Sequence, residues 1–268
     1  MTPGPDAARA VKLFSFRSWR GGCACAAVGA LVAGCAAAPS APTVTGKRLN
    51  IYLSAPASLS GNSQAQDVID AEKLAFSSAC TSSCPPIQLG GFTVHLDVIS
   101  SNKISDNART AIEDSDAVAY LGEVVGSSVD SLGITNAEDL LQVSPTEAAP
   151  VPTKDLESFG TYGRTFASMS PSNDPAALLG TPGGKAFGHE FRSAYGHAPA
   201  NQAIFGYTAM TAVLKALHSA ASGADNRGTV RNAFFALKDV SLSVGSGGPA
   251  VGTYTVNRNG TVTITPAP

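Results

Sequence analysis

The sequence predicts an α/β fold built on a parallel sheet, and three observations lead there. Short runs of β-branched and aromatic residues alternate with stretches of helical periodicity. The helical stretches stand where crossover connections between parallel strands are needed. The chain is also core-forming, with 44% hydrophobic residues in 268. Charge is sparse: 14% of residues are charged, against roughly 25% in an average soluble domain. Small neutral residues fill the gap, among them 27 Gly. With a formal net charge of −2 and no Lys/Arg cluster after residue 48, the chain offers no basic footprint for nucleic acid.

Taken in order from residue 47, Leu49 to Ser54 reads as a strand that ends at Pro56. Asn62 to Ala79 repeats apolar residues at helical spacing through Ala65, Val68, Ile69, Ala75 and Phe76. Phe92 to Ile99 alternates, with Phe92, Val94, Leu96 and Val98 on one face and Thr93, His95 and Asp97 on the other, the pattern of a half-buried strand. A helix over Ile104 to Asp114, a strand over Ala117 to Leu121, a helix from about Ser127 to Leu132 and a strand over Leu140 to Val143 continue the alternation. The resulting βαβαβαβ order implies a parallel sheet with covering helices.

Pro145 to Gly184 is richer in Pro and Gly, and only Arg164 to Met169 within it resembles a strand. Gly180 to Ala186 carries glycines in the manner of a phosphate loop, but they stand too close together and Ala186 occupies the Ser/Thr position. That segment reads as a linker. Helices follow at about Lys185 to Tyr195, Gln202 to Ala221 and Thr229 to Leu237, the middle one with a core-facing stripe of Met210, Leu214, Leu217 and Ala221. Val251 to Val256 and Thr261 to Thr265 flank Asn257-Arg258-Asn259-Gly260, a hairpin whose Asn-Gly suits positive φ.

Arg9, Lys12, Arg17 and Arg20 form a basic flank before the uncharged run Gly21 to Gly34, which is too short to span a bilayer as a helix. The run ends Leu31-Val32-Ala33-Gly34-Cys35. This resembles a bacterial lipobox, in which small residues precede a Cys that is lipidated on sulfur and becomes the first residue after cleavage. Residues 1–34 then read as a lipoprotein signal peptide and 35–46 as a Pro/Ala/Ser/Thr-rich tether. The other reading, a buried Ala-rich helix with an incidental Cys, has to follow a basic arm and then dissolve into Ala36 to Thr43. Cleavage before Cys35 removes four basic residues and Asp6, leaves 14 basic against 19 acidic, and takes away Trp19, the one tryptophan. Besides Cys35 for lipid, it leaves Cys80 and Cys84, at a helix end before Pro85-Pro86. In an oxidising compartment this pair reads as a small disulfide in preference to free thiols or a metal site, which needs two further ligands and has only His95 nearby in sequence.

No Gly-x-Ser-x-Gly elbow, His-Glu-x-x-His helix or Cys-x-x-Cys pair occurs. His95, His189, His197 and His218 are scattered among different elements, and the carboxylates are dispersed. The expectation is a protein without enzymatic activity, cofactor or metal. More informative are Tyr120-Leu121-Gly122-Glu123, Gly126-Ser127-Ser128 and Gln142-Val143-Ser144-Pro145-Thr146. In an open α/β sheet, ligands bind beyond the carboxyl ends of the strands. Ser127 and Ser128 begin a helix there, so hydroxyls and backbone N–H groups can hold a carboxylate against the positive end of its dipole. The same serines are equally suited to capping that helix, and the two readings stand side by side.

At these residues the chain resembles the branched-chain amino-acid (leucine-binding-protein-like) type of periplasmic substrate-binding protein, the type I solute-binding fold of ABC importers. The resemblance runs from Leu49 to about Pro175 and again from about Phe187 to Thr263. Its most specific pieces are Leu53 to Gly61, Tyr120 to Glu123, Gln142 to Pro145, Arg164 to Asp174, Phe205-Gly206-Tyr207 with Ala209-Met210, and Gly252-Thr253-Tyr254 with Asn257 to Gly260. It implies two α/β lobes with a ligand cleft between them, an extracytoplasmic place on a membrane lipid anchor, and delivery of an amino acid or other small polar solute to an ABC permease. Ligand contacts are then expected from Ser127, Ser128, Ser144, Thr146 and, on the return helix, Tyr207.

The chain departs from that pattern in two places. Ser170 to Asp174 is followed almost at once by the helix end Phe191 to Gly196, so most of a second lobe is missing, and Ala148 stands where a ligand-binding Thr is expected. The expected layout is a Rossmann-like parallel-sheet lobe at 47–170, a crossing segment with a remnant of the second lobe at 171–200, and return helices with a C-terminal hairpin at 201–268. The rival function is a degenerate lipoprotein that kept the scaffold, lost transport and acts as an interaction module.

One mass measurement addresses both cysteine expectations. Membrane-extracted protein should carry a diacylated N-terminus at Cys35, and alkylation after denaturation should find no free thiol at Cys80 or Cys84. A soluble form that retains Trp19, or two reactive thiols, would refute the corresponding expectation. The bridge closes a short loop, so its contribution to stability belongs at the low end of the ~2–4 kcal/mol typical of disulfides.

Overall fold

Strands that are apolar on both faces need cover on both sides, and the computed structural model supplies it. Residues 41–59, 61–80, 86–146, 165–245 and 247–268 are described. Cys35, Cys84, Ala148 and residues 147–164 of the Pro/Gly-rich stretch lie outside them. In chain order the elements are β1 (Arg48–Pro56), α1 (Ser63–Ser78), β2 (Ile87–Leu89), β3 (Phe92–Ser101), α2 (Ile104–Glu113), β4 (Ala117–Leu121), α3 (Val129–Ala137), β5 (Leu141–Ser144), β6 (Phe166–Met169), α4 (Pro175–Gly180), α5 (Pro182–Tyr195), α6 (Ala203–Ala220), a 3₁₀ turn at Ala221–Gly223, α7 (Arg227–Phe235), β7 (Val240–Ser243), β8 (Ala250–Val256) and β9 (Thr261–Pro266).

The strands form one nine-stranded sheet in the order β2-β3-β1-β4-β5-β6-β9-β8-β7. From β3 through β9 the neighbours are parallel. Antiparallel pairs finish both margins, β2 on β3 and the β9-β8-β7 meander. Side chains alternate between the two faces. Leu49, Ile51, Leu121 and Val143 share the main core with Leu74 and Ala75 of α1, Met210 and Val213 of α6 and Val230 of α7. Tyr52 and Tyr120 pack with Ala108 and Ala111 of α2 on the other face, and Phe166 packs with Leu132 of α3. The strands of 47–170 and of 201–268 thus share a single sheet, while α4 and α5 pack on β8. Among the described residues no helix is long and apolar enough to cross a membrane.

Three sequence expectations change. Gly180 to Ala186 is not a linker but the junction of two helices. Thr181 Oγ1 accepts from the Gly184 N–H at 3.0 Å as the N-cap of α5, and Pro182 supplies its first position. Gly183 serves close packing, because a Cβ there would lie 2.3 Å from the Val251 backbone nitrogen on β8. Second, β2 and β7 are three and four residues long, too short for an alternating signal. Third, Val98 is 47% exposed rather than inward-facing. The β2 strand pairs only with Phe92 to Val94, so beyond them β3 is the margin of the sheet. In the α6 stripe, Met210 and Leu217 are buried as expected, Leu214 is half-buried, and Ala221 falls past the helix end at φ 49°.

The amino-terminal edge of the parallel strands is held by Arg227, the first residue of α7 and 2% exposed. Its guanidinium donates from Nε to the Ala117 carbonyl at 2.8 Å, from Nη1 to that of Glu138 at 3.2 Å and from Nη2 to that of Asp114 at 2.9 Å. Those carbonyls belong to the turns that enter β4 and β5. The incoming chain docks beside them, with the Arg227 N–H donating to the Pro42 carbonyl at 3.1 Å and the Val44 N–H to that of Asp225 at 2.7 Å. Arg227→Met removes the guanidinium donor from all three carbonyls, of which that of Ala117 is on a wholly buried residue, and should lower unfolding stability by about 3 kcal/mol in urea titrations. Arg227→Lys should recover little of it, because one ammonium cannot reproduce the planar fork.

Candidate functional site

The chain leaves β1 for β3 on one side and comes back to β4 on the other, so the strand order reverses between β1 and β4. Beyond the carboxyl ends of such a pair an α/β sheet opens a crevice. Ser54, near the end of β1, and Glu123, just past β4, meet across it: Ser54 Oγ donates to Glu123 Oε2 at 2.7 Å. The Tyr120 hydroxyl donates to Glu123 Oε1 at 2.6 Å. Asn107 of α2 donates from Nδ2 to Ser54 Oγ at 2.8 Å and to the Ala55 carbonyl at 3.1 Å. Gly122 permits the approach, since its φ is 151° and a Cβ would lie 2.8 Å from that of Ser54.

The Glu123 main chain organises the expected ligand residues. Its N–H donates to Ser128 Oγ at 3.3 Å, and its carbonyl accepts from Ser144 Oγ and from Thr146 Oγ1, each at 3.0 Å. Gln142 supports the loop from below, donating from Nε2 to the Gly122 carbonyl at 3.3 Å and to Ser131 Oγ at 2.8 Å, while Thr135 donates to its Oε1 at 2.7 Å. Ser128, Ser144 and Thr146 are therefore brought together around the backbone of one residue. Ser127 stands next to them, exposed at the start of α3, where its Oγ accepts from the Val129 N–H at 3.3 Å. Of the two serines Ser127 does the capping, and Ser128 serves Glu123 instead. Val125, 40% exposed, gives the rim an apolar surface.

Tyr207 is not brought to this cluster. It is buried on α6, its ring edge-on to Phe187 at 5.3 Å, and its hydroxyl accepts from the Gly245 N–H at 3.4 Å. It lines a separate groove of about 940 Å³ between α1, α6 and the two margins of the sheet.

Burial raises the proton affinity of the Glu123 carboxyl above the ordinary glutamate range, and the hydrogen bonds from Tyr120 and Ser54 partly offset it. A second buried acid lies close enough to feel it. Glu72 on α1 is wholly buried, and neither of its carboxyl oxygens has a hydrogen-bond partner. Burial raises its proton affinity strongly, the like charge of Glu123 adds to this, and Lys73 opposes it. Sequence reading placed Glu123 and Gln142 in its informative stretches without giving either a role, and assigned none to Ser54, Asn107 or Glu72. A signal was present for the first: a single acid that follows a wholly apolar strand at its carboxyl end. For Glu72 there was none, since a helix acid between apolar neighbours looks like any solvated one.

Ser128 and Ser144 are wholly buried, so what the cluster can offer a small anion at its surface is the exposed Ser127 hydroxyl, the half-buried Thr146 hydroxyl and the start of α3, with no histidine or thiol among its hydrogen-bonding members. No protein-family model matches the chain, and no curated protein matches it. Its fold does match solved structures. The leucine-binding protein LivK from Thermotoga maritima aligns over 81% of this chain and 97% of its own at 13% identity, with a TM-score of 0.53. LivJ, the branched-chain amino acid transporter substrate-binding protein of Streptococcus pneumoniae, in complex with isoleucine, aligns over 82% and 100% at 12% identity, TM-score 0.53. A solute-binding protein of an ABC transporter from Rhodopseudomonas palustris, in complex with 3,4-dihydroxy benzoic acid, aligns over 82% and 92% at 10% identity, TM-score 0.57. The chain thus has the type I periplasmic-binding-protein fold, and these structural neighbours are substrate-binding proteins.

The buried acids set a pH dependence. A carboxyl whose proton affinity is raised on folding stabilises the fold fully below its unfolded value, near 4.5 for Glu72, and that contribution is lost as the pH rises through its folded value. Glu72→Met, which fills similar volume without an ionisable group, should therefore stabilise the protein by about 1–3 kcal/mol at pH 7. The gain should shrink as the pH falls towards 4.5. Denaturant titrations at several pH values check both the sign and the trend.

Proposed function

We propose that this chain is a lipid-anchored, extracytoplasmic solute-binding protein of an ABC importer. It holds the carboxylate of an amino acid or similar small polar solute at the carboxyl edge of its sheet and passes it to a permease. The observation that carries the reading is the grouping of Ser128, Ser144 and Thr146 around the Glu123 peptide at the switch point, beside the start of α3. The fold likeness supports it, and the two ligands held by the neighbouring structures, isoleucine and 3,4-dihydroxy benzoic acid, both carry a carboxyl group. In this proposal Ser127, Ser128, Ser144 and Thr146 contact the solute, Cys35 carries the lipid, and residues 171–200 are what remains of a second lobe. A single wall leaves the ligand much of its water, so binding is weak.

Calorimetric titration with Leu, Ile, Val and polar amino acids tests the reading. A carboxylate-bearing member should bind with a Kd above about 1 μM. Changing Ser127 and Ser144 together to Ala should weaken that binding by about tenfold or more, the scale of one lost hydrogen bond to a charged group. Submicromolar binding that survives the double substitution would place the site elsewhere.

A further inference from the structure

The sheet's two free margins converge on one helix. Ile87 and Leu89 of β2 and Ser241 and Ser243 of β7, at opposite ends of the strand order, line the same groove of about 940 Å³ along α6. That volume is at the upper end of what small-molecule pockets enclose. The α6 side of the groove is a stripe at helical spacing: Tyr207, Thr211, Leu214, Lys215 and His218. Ile87, Leu89, Leu214 and the Tyr207 ring make an apolar wall.

The charges in the groove are arranged in one direction. Lys215 and His218, three residues apart and both exposed, stand at one end, and no Asp or Glu lines the groove among the described residues. Neither side chain is paired with a carboxylate among the described residues. An acid stands at the other end, where Glu190 of α5 lies beside Gly245, whose N–H donates to the Tyr207 hydroxyl. Helix polarity explains why cations are tolerated near the end of α6. It does not account for an apolar wall beneath them.

We infer that this groove binds an amphiphilic carboxylate, with its hydrocarbon body along Ile87, Leu89 and Leu214 and its anionic head between Lys215 and His218. The acid at the Tyr207 end fixes the orientation by repelling the head. The site is distinct from the carboxyl-edge cluster, and neither depends on the other.

Dodecanoate, kept below its micellar concentration, is the probe, with dodecanol as the uncharged control and calorimetry on the full chain as the readout. Saturable dodecanoate binding at one site, at least about tenfold tighter than dodecanol, is expected. The double substitution Lys215→Gln with His218→Gln should remove that preference, and Leu214→Asp should abolish binding. Lys215 and His218 are exposed, so the fold should tolerate the double substitution, which keeps the test independent of Leu214, half-buried against the core; Arg258→Gln, on the β8-β9 turn, should change nothing. Excess leucine should not displace the probe. Absence of saturable binding, equal binding of the alcohol, a preference that persists in the Lys215/His218 variant, or displacement by leucine would each overturn the assignment. The last of these would move the probe to the carboxyl-edge site and leave that reading standing.

Discussion

The buried hydrogen bond between Ser54 and Glu123 crosses the point where the strand order reverses, and the rest of the candidate site depends on it. Glu123 is 4% exposed, so its carboxyl has to be satisfied from within the protein. Ser54 and Tyr120 supply one donor to each oxygen, and Asn107 fixes Ser54 in turn. With its side chain fastened in this way, Glu123 presents its backbone N–H and carbonyl outward in a set direction. The three hydroxyls of Ser128, Ser144 and Thr146 then have the backbone of a single residue to organise on. A buried acid thereby positions the candidate site.

That arrangement also limits affinity. Ser144 and Thr146 already donate to the Glu123 carbonyl. A carboxylate that engages them exchanges one hydrogen bond for another, and only the charge-assisted part of the new bond is gained. Of the helix-start amides of α3, that of Val129 already donates to Ser127 Oγ, and the side chain of Ser128 adds no cap.

The two edges of the parallel sheet divide the work of the fold. At the amino edge, Arg227 ties α7 to the turns entering β4 and β5 with three charge-assisted bonds, and the incoming chain closes over it. At the carboxyl edge, buried polar groups serve positioning, and Glu72 sits beneath them without a partner. Stability that is secured at one edge leaves the other free to hold groups that stability alone would not favour.

The alternation of strands and helices and the parallel order were legible in the sequence, because each rests on local periodicity or on a topological rule that periodicity triggers. Ser144 and Thr146 follow a strand and Ser127 precedes a helix, and that much is one-dimensional. The hub of the site was not legible. Glu123 and Ser54 are 69 residues apart, and nothing in either neighbourhood states that they meet. Tyr207 failed in the same way: its helix was readable, but which groove the ring lines depends on how α6 packs. The glycines at 180–186 looked slack, since a contact made by the absence of a Cβ leaves no local mark. Local patterns determined the elements and their order. Only tertiary packing, which sets distances between residues far apart in the chain, decided which polar side chains would be buried together.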